Sequence, residues 1–243
     1  TKEISATAQV KLKEREKQQE TRAWDDRLTL EFCGAAPSVR ALSIKPAPEL
    51  PVLFLMGDST VCDQPAEPYA SWGQMLPLWF SPTIAVANYA QSGDSLKSSL
   101  GARRLDKVVS ELKPGDFVLV QFGHNDEKDK SPGAGAFTTY ADLLRHYAKS
   151  IQAKGGQPIL VTPVQRRTFD AVGKMTNSHG DFPAAVKSVA AEMKLPLVDL
   201  QALSSQLYEA FGKEPSGVLF KPGDGTHHNN FGAYELSRCV VTG

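Results

Sequence analysis

From Val52 onward the chain alternates short continuous apolar runs with stretches of helical period, and this alternation limits the fold more than any other feature. Val52 to Met56, Ile84 to Tyr89, Phe117 to Phe122, Pro158 to Pro163 and Pro196 to Leu200 are runs without polar alternation. A strand buried on both faces reads this way, as in the centre of a parallel sheet. Between and after them, Tyr69 to Phe80, Arg104 to Leu112, Thr139 to Ala153, Pro183 to Met193 and Ala202 to Phe211 carry apolar residues at helical spacing. A last helix is expected from about Asn230 to Val241, started by an asparagine cap. Strand and helix alternate five times. That order predicts an α/β fold with an open five-stranded parallel sheet and helices on both faces, its crossovers right-handed. Ligands in such sheets bind beyond the carboxyl ends of the strands.

Before Val52 the pattern differs. Residues 1 to about 19 are polar and lysine-rich without an apolar period. Asp26 to Glu31 alternates like a strand, with Leu28, Leu30 and Phe32 on one face, and Val39 to Ile44 suggests a second strand. Lys45 to Pro51 is a stiff proline-rich linker. Residues 1–50 are therefore expected to be a short β-rich segment, the remnant of another module, and 51–243 a catalytic domain.

The strand ends carry the chemistry. Ser59 follows the first run within Gly57-Asp58-Ser59-Thr60, Gly93 lies just beyond the second, and Asn125 ends the third within Gly123-His124-Asn125-Asp126. Asp224-Gly225-Thr226-His227 precedes the last helix. A serine hydroxyl attacks an acyl carbon only when a base takes its proton. His227 is the candidate base, and Asp224 is spaced to hold its ring and steady the imidazolium. Because the base must be neutral to work, activity is expected to fail in acid. The oxyanion of an acyl transfer needs donors. The backbone N–H groups of Ser59 and Gly93 and the side-chain amide of Asn125 are the candidates.

Other residues invite weaker readings. Arg166, Arg167 and His179 follow the fourth run and are candidates for lining a substrate cleft. Trp72 and Trp79 share a helix face with Leu76, which favours core packing over sugar stacking. His228 is expected at the surface or supporting its neighbour. His124 is expected to pack the Asn125 loop. Cys33, Cys62 and Cys239 are odd in number and lack a Cys-x-x-Cys pair, so a metal site is not expected, and buried thiols are favoured over one disulfide.

These motifs resemble those of the SGNH (GDSL-like) hydrolases. Ser59, Gly93, Asn125 and His227 match the four namesake positions, and Asp224 matches the third triad member. Gly-Asp-Ser-Thr with Gly-His-Asn-Asp and Asp-Gly-Thr-His is similar to the rhamnogalacturonan acetylesterase branch. Asp94 departs from it, standing where arginine is expected. The resemblance implies a flavodoxin-like three-layer α/β/α fold. It also implies removal of acetyl groups from plant cell-wall polysaccharide, no cofactor and a secreted or periplasmic location. A lipid or aryl esterase and a catalytically silent carbohydrate-binding protein are the rival readings.

Composition narrows the partners. Lysine plus arginine and aspartate plus glutamate number 27 each among 243 residues, so no overall field draws nucleic acid or anionic membrane. No apolar run is long enough to span a bilayer, and membrane insertion is not expected. The expected partner is an acetylated polysaccharide or oligosaccharide. The chain starts at Thr1 with no leader pattern, so a processed or truncated form is expected.

Overall fold

The computed structural model describes residues 36, 38–47 and 49–243. Five strands form one all-parallel sheet: β1 Val52–Gly57, β2 Ala85–Asn88, β3 Phe117–Gln121, β4 Gln157–Val161 and β5 Leu197–Val198. Their spatial order is β2-β1-β3-β4-β5, so the chain runs outward from β1 in one direction and then the other. Each coincides with one of the apolar runs of the sequence, β1 running one residue past its end to Gly57 and β4 starting one residue early at Gln157.

Successive side chains of a strand face opposite sides of the sheet. Phe54 and Met56 of β1, with Val118 and Val120 of β3, fill the core on one face. There they meet α2 (Leu96–Gly101), α3 (Arg104–Glu111), α4 (Ala141–Gln152) and α5 (Phe182–Met193), through Leu96, Leu105, Leu144 and Val189. Leu53 and Leu55 of β1 face the other way with Leu119 and Val161. They meet α1 (Trp72–Met75), α6 (Leu200–Phe211) and α7 (Asn230–Thr242), through Trp72, Tyr208 and Leu236. The result is the three-layer α/β/α arrangement expected.

Local chemistry sets several boundaries. The helix expected over Tyr69 to Phe80 begins only at Trp72, where the Ser71 hydroxyl accepts the Gln74 N–H, and it tightens into a 3₁₀ turn over Leu76–Trp79. Pro77 there has no N–H to give an α-helical bond. Trp72 and Trp79 pack inward, donating to Gln121 Oε1 at 2.8 Å and to Ser237 Oγ at 2.7 Å. Asn229 caps α7 by accepting from Gly232 N.

The strand expected over Val39 to Ile44 does not form. Val39, Leu42 and Ile44 are about half exposed or more, and the segment pairs with no strand among the described residues. Backbone N–H and C=O groups need a ladder partner to make a strand. Asp26 to Glu31, the expected neighbour, lies outside the described residues.

Candidate active site

The loops after β1, β2 and β3 and the connection between α6 and α7 meet at the carboxyl edge of the sheet. The tightest is the turn after β1. Val61 N and Cys62 N both donate to the Asp58 carbonyl at 3.0 Å, so the chain reverses within a few residues. A Cβ on Gly57 would lie 2.5 Å from Val61 Cγ2 and 2.6 Å from the Gln121 carbonyl oxygen, so only glycine fits at the start of the turn. Beneath it, Asp58 is fully buried and accepts from Thr60 N at 2.9 Å and Thr60 Oγ1 at 2.8 Å. The amide of Gln121 donates to that threonine oxygen at 2.7 Å and accepts from Trp72. Trp72, Gln121, Thr60 and Asp58 thus form a continuous polar chain that fixes Ser59 from below. Gln121 was not singled out in the sequence, although it is the one polar residue in the run Phe117 to Phe122.

Ser59 Oγ lies 2.9 Å from His227 Nε2, and His227 Nδ1 lies 2.9 Å from Asp224 Oδ2. The two hydrogen bonds join residues 168 positions apart to residues three apart. Asp224 Oδ1 also accepts from Thr226 N at 2.8 Å and His227 N at 3.1 Å, which winds the loop around the carboxylate. Burial alone would raise the Asp224 pKa, but the Thr226 and His227 N–H bonds outweigh it and hold the group below its ordinary value. The carboxylate therefore stays ionised opposite the imidazole. Nδ1 then carries the hydrogen, leaving Nε2 to accept from the serine hydroxyl.

The three expected donors lie close by. Gly93 has φ +85°, a left-handed conformation that favours glycine, and a Cβ there would meet open space. Among the described residues, neither Ser59 N nor Gly93 N donates to a protein acceptor. Asn125 Nδ2 donates to the Asp94 carbonyl at 2.9 Å, which ties the β3 loop to the β2 loop. Its Oδ1 accepts from Lys128 Nζ at 2.8 Å, so the carboxamide is oriented at both ends. One Nδ2 hydrogen remains.

Arg166, Arg167 and His179, expected along the cleft, are each bonded to groups of the framework, and the two arginines stay partly exposed. His179 is buried, with Nε2 2.9 Å from the Val164 carbonyl and Nδ1 2.9 Å from Glu127 Oε2. Arg166 pairs with Glu127 Oε1 at 2.5 Å and reaches the His124 carbonyl. Arg167 donates to Ser216 Oγ at 2.9 Å, and its backbone N–H donates to Gly225 O at 2.7 Å, steadying the Asp224–His227 loop. A carboxylate that is largely withdrawn from water needs a partner. Glu127, which the sequence reading passed over, recruits both Arg166 and His179 to supply it.

Two further histidines are buried. His124 Nδ1 lies 3.3 Å from Asp58 Oδ2, and its ring stands edge-on to His179 at 4.6 Å. Burial pushes the His124 pKa below the ordinary histidine value, more than Asp58 raises it. The ring is therefore neutral and meets Asp58 as a close polar contact rather than as an ion pair. His228 packs against Phe220 and pairs through Nε2 with the Tyr208 hydroxyl at 2.7 Å. Burial brings its pKa down to about 3. Asp94 faces inward as well, its carboxylate 2.9 Å from Arg104 Nε. Cys62 is a free thiol whose pKa is pushed up to about 12 by burial and by Asp63 and Asp58, so it is not a nucleophile at neutral pH. Cys239 is also free, and Cys33 lies outside the described residues. Among the described residues, no group of three or more histidine, cysteine or acidic side chains is placed to hold a metal ion, and no helix is long and apolar enough to cross a membrane.

A parallel α/β/α sheet with a serine, imidazole and carboxylate chain at its carboxyl edge is the frame of a serine hydrolase. Comparison with known proteins specifies it. Residues 55–233 match the GDSL-like Lipase/Acylhydrolase family. The chain belongs to that family, the SGNH hydrolases, and is a carboxylic ester hydrolase. It is 38% identical over 206 residues to the rhamnogalacturonan acetylesterase RhgT of Bacillus subtilis, covering 79% of this chain and 88% of that one. It is 24% identical over 217 residues to a rhamnogalacturonan acetylesterase of Emericella nidulans, covering 81% of this chain and 85% of the other. The crystal structure of YxiM from Bacillus subtilis superposes with a TM-score of 0.74 at 32% identity, over 79% of this chain. The match spans just over half, 55%, of that longer structure.

Proposed function

We propose that this protein is a serine esterase that removes acetyl groups from a plant cell-wall polysaccharide of the rhamnogalacturonan type, through an acyl-enzyme. The hydrogen-bonded chain Ser59–His227–Asp224 carries the chemical part of this reading. The substrate part is supported by the named activity of the relatives at 38% and 24% identity.

In the first step Ser59 Oγ attacks the acetyl carbonyl while its proton passes to His227 Nε2. The imidazolium is stabilised by Asp224. The Ser59 and Gly93 N–H groups and the free Asn125 Nδ2 hydrogen receive the oxyanion, and each such donor is worth about 3–4 kcal/mol of barrier. Collapse returns the proton from His227 to the departing sugar oxygen. The C–O bond to the sugar breaks and acetyl-Ser59 remains. Water, deprotonated by His227, attacks the acetyl carbon in the second step. Acetate leaves, and the proton returns to Ser59 Oγ. No cofactor enters either step. Such a polymer lies outside the cell, and we place the enzyme in the periplasm or the medium.

The test is acetate release from acetylated rhamnogalacturonan and acetylated xylan in parallel, with Ser59→Ala as blank. The reading expects release from rhamnogalacturonan that vanishes in the variant. Cleavage of a small aryl acetate with no release from rhamnogalacturonan would keep the mechanism and overturn the substrate.

A further inference from the structure

Each backbone carbonyl of the nucleophile turn, from Asp58 to Cys62, has a donor, and the donors differ in kind. Asp58 O accepts from Val61 N and Cys62 N, and Thr60 O accepts from Trp72 N at 3.2 Å. Val61 O accepts from Asn88 Nδ2 at 2.7 Å and Cys62 O from Ser71 Oγ at 2.6 Å, both on buried residues. Ser59 O, on the reacting residue itself, accepts from Gln64 Nε2 at 2.6 Å. Among the described residues that amide is the one donor to it. Gln64 is only partly buried, and neither the triad nor the oxyanion donors make use of it.

Gln64 is anchored in its turn. Its backbone N–H donates to Gln74 Oε1 of α1 at 3.3 Å. α1 packs directly on the nucleophile turn, where a Cβ on Gly73 would lie 2.1 Å from Val61 O. The same short helix carries Trp72, whose indole donates to Gln121. Two polar arms thus leave α1 and close on either side of Ser59, one through Trp72, Gln121 and Thr60, the other through Gln74 and Gln64. Between them the Ser59–Thr60 peptide is held at both ends. Its N–H donates to Asp58 Oδ1 at 2.9 Å, and its C=O accepts from Gln64. A peptide unit is planar, so with both bonds in place it cannot tilt. Without the Gln64 bond the carbonyl end is free to swing. Thr60 stays pinned by Asp58 and Gln121, so the Ser59 dihedrals must absorb that swing. They carry both Ser59 Oγ, 2.9 Å from His227 Nε2, and the Ser59 N–H that receives the oxyanion.

We propose that Gln64 is a positioning residue for the ester hydrolysis: by holding the Ser59 carbonyl it keeps Oγ aimed at His227 and the Ser59 N–H aimed at the oxyanion. It touches none of the reacting atoms. The inference rests on Ser59 as the nucleophile of the esterase reading and is independent of which polymer is the substrate. Catalysis and stability are expected to separate at this residue. A displacement of about 1 Å in a reacting group costs up to about 100-fold in rate. The freed carbonyl, beside a side chain that is only partly buried, can take a water in place of the lost donor, so little stability is lost.

The experiment compares wild type with Gln64→Met, which keeps the length and loses the donor, and Gln64→Glu, which keeps the shape and sets a second acceptor against the carbonyl. Each is assayed for kcat and KM on a neutral aryl acetate across pH, for its rate of labelling by a fluorophosphonate, and for melting temperature. kcat and the labelling rate are expected to fall together, about tenfold in Gln64→Met and about 100-fold in Gln64→Glu, with KM within about twofold of wild type. Melting temperature should stay within about 3 °C, and the acid limb of kcat should not move, because the His227–Asp224 pair is untouched. Both variants keeping kcat and the labelling rate within about twofold of wild type overturns the inference and leaves the esterase reading standing. A fall in kcat that comes with a loss of about 10 °C or more in both variants makes Gln64 a brace of the fold and overturns it too. A wild type that neither cleaves the acetate nor labels at Ser59 overturns the esterase reading and this inference together.

Discussion

Two histidine–carboxylate pairs flank Ser59, one bonded to its hydroxyl and one built on its neighbour Asp58, and they differ in almost everything except their chemistry. His227 and Asp224 are three positions apart, bonded at 2.9 Å in a partly exposed loop. His124 and Asp58 come from the ends of different strands, sit 3.3 Å apart and are buried. The difference that matters is on the far ring nitrogen. His227 Nε2 meets the Ser59 hydroxyl at 2.9 Å, while His124 Nε2 has no hydrogen-bond partner among the described residues. An imidazole held by a carboxylate becomes a general base only when its other nitrogen faces a proton to be moved. The same pair without a hydroxyl or access is part of the frame. One pair therefore turns over substrate, and the other holds the nucleophile turn in shape.

Substitution on either side should break this division in opposite ways. The largest effect is expected at Ser59→Ala and His227→Ala, each losing about 10⁴-fold or more in kcat on an aryl acetate with little change in melting temperature. Asp224→Asn should follow, at about 10³-fold, because the ring loses the acceptor that fixes its tautomer. His124→Ala should show the reverse profile. It leaves the Asp58 carboxylate buried with one partner fewer, which should cost about 3 kcal/mol in urea unfolding while kcat falls only about tenfold. A loss of kcat at His124 matching that at His227, with stability intact, would collapse the comparison.

A smaller effect sharpens it through pH. Burial, with a further contribution from Asp58, raises the Asp126 pKa to about 7, against an ordinary 3.8. A group raised on folding contributes stability that is present below its unfolded value and lost as pH rises through its folded value. Asp126→Asn keeps an oxygen for Leu96 N and removes the buried charge. It should therefore exceed wild type in stability at pH 8 by on the order of 2 kcal/mol and match it near pH 4. His124 and His228 act with the opposite sign. Both are lowered on folding, so each holds stability above the unfolded histidine value that drains away as pH falls. Unfolding titrations at pH 4, 6 and 8 check both directions.

Much of this could be read from the chain alone, for reasons that differ by element. The five strands announced themselves because strands buried on both faces must be apolar throughout, and the motifs followed because each sits at a strand's carboxyl end. Ser59, His227 and Asp224 come together as their order suggested. What stayed hidden depends on distant pairing or on short structure. The roles of Arg166 and His179 are set by Glu127, 39 and 52 positions away, and no local pattern encodes that ion cluster. α2 has six residues, too few for a helical period, and its Ser95–Ser98 capping box is visible only with the bonds in place. The spacing of Tyr69 predicts a helical position, yet the Ser71 cap leaves it outside α1, where its ring faces His227.

The most direct test of the central claim is covalent. A fluorophosphonate should react with one serine of the folded protein, and peptide mass spectrometry should find the adduct on Ser59. The label should persist in His124→Gln and disappear in His227→Ala. A label on another serine, or labelling of Ser59 that survives loss of His227 but fails on loss of His124, would contradict the assignment of the working base.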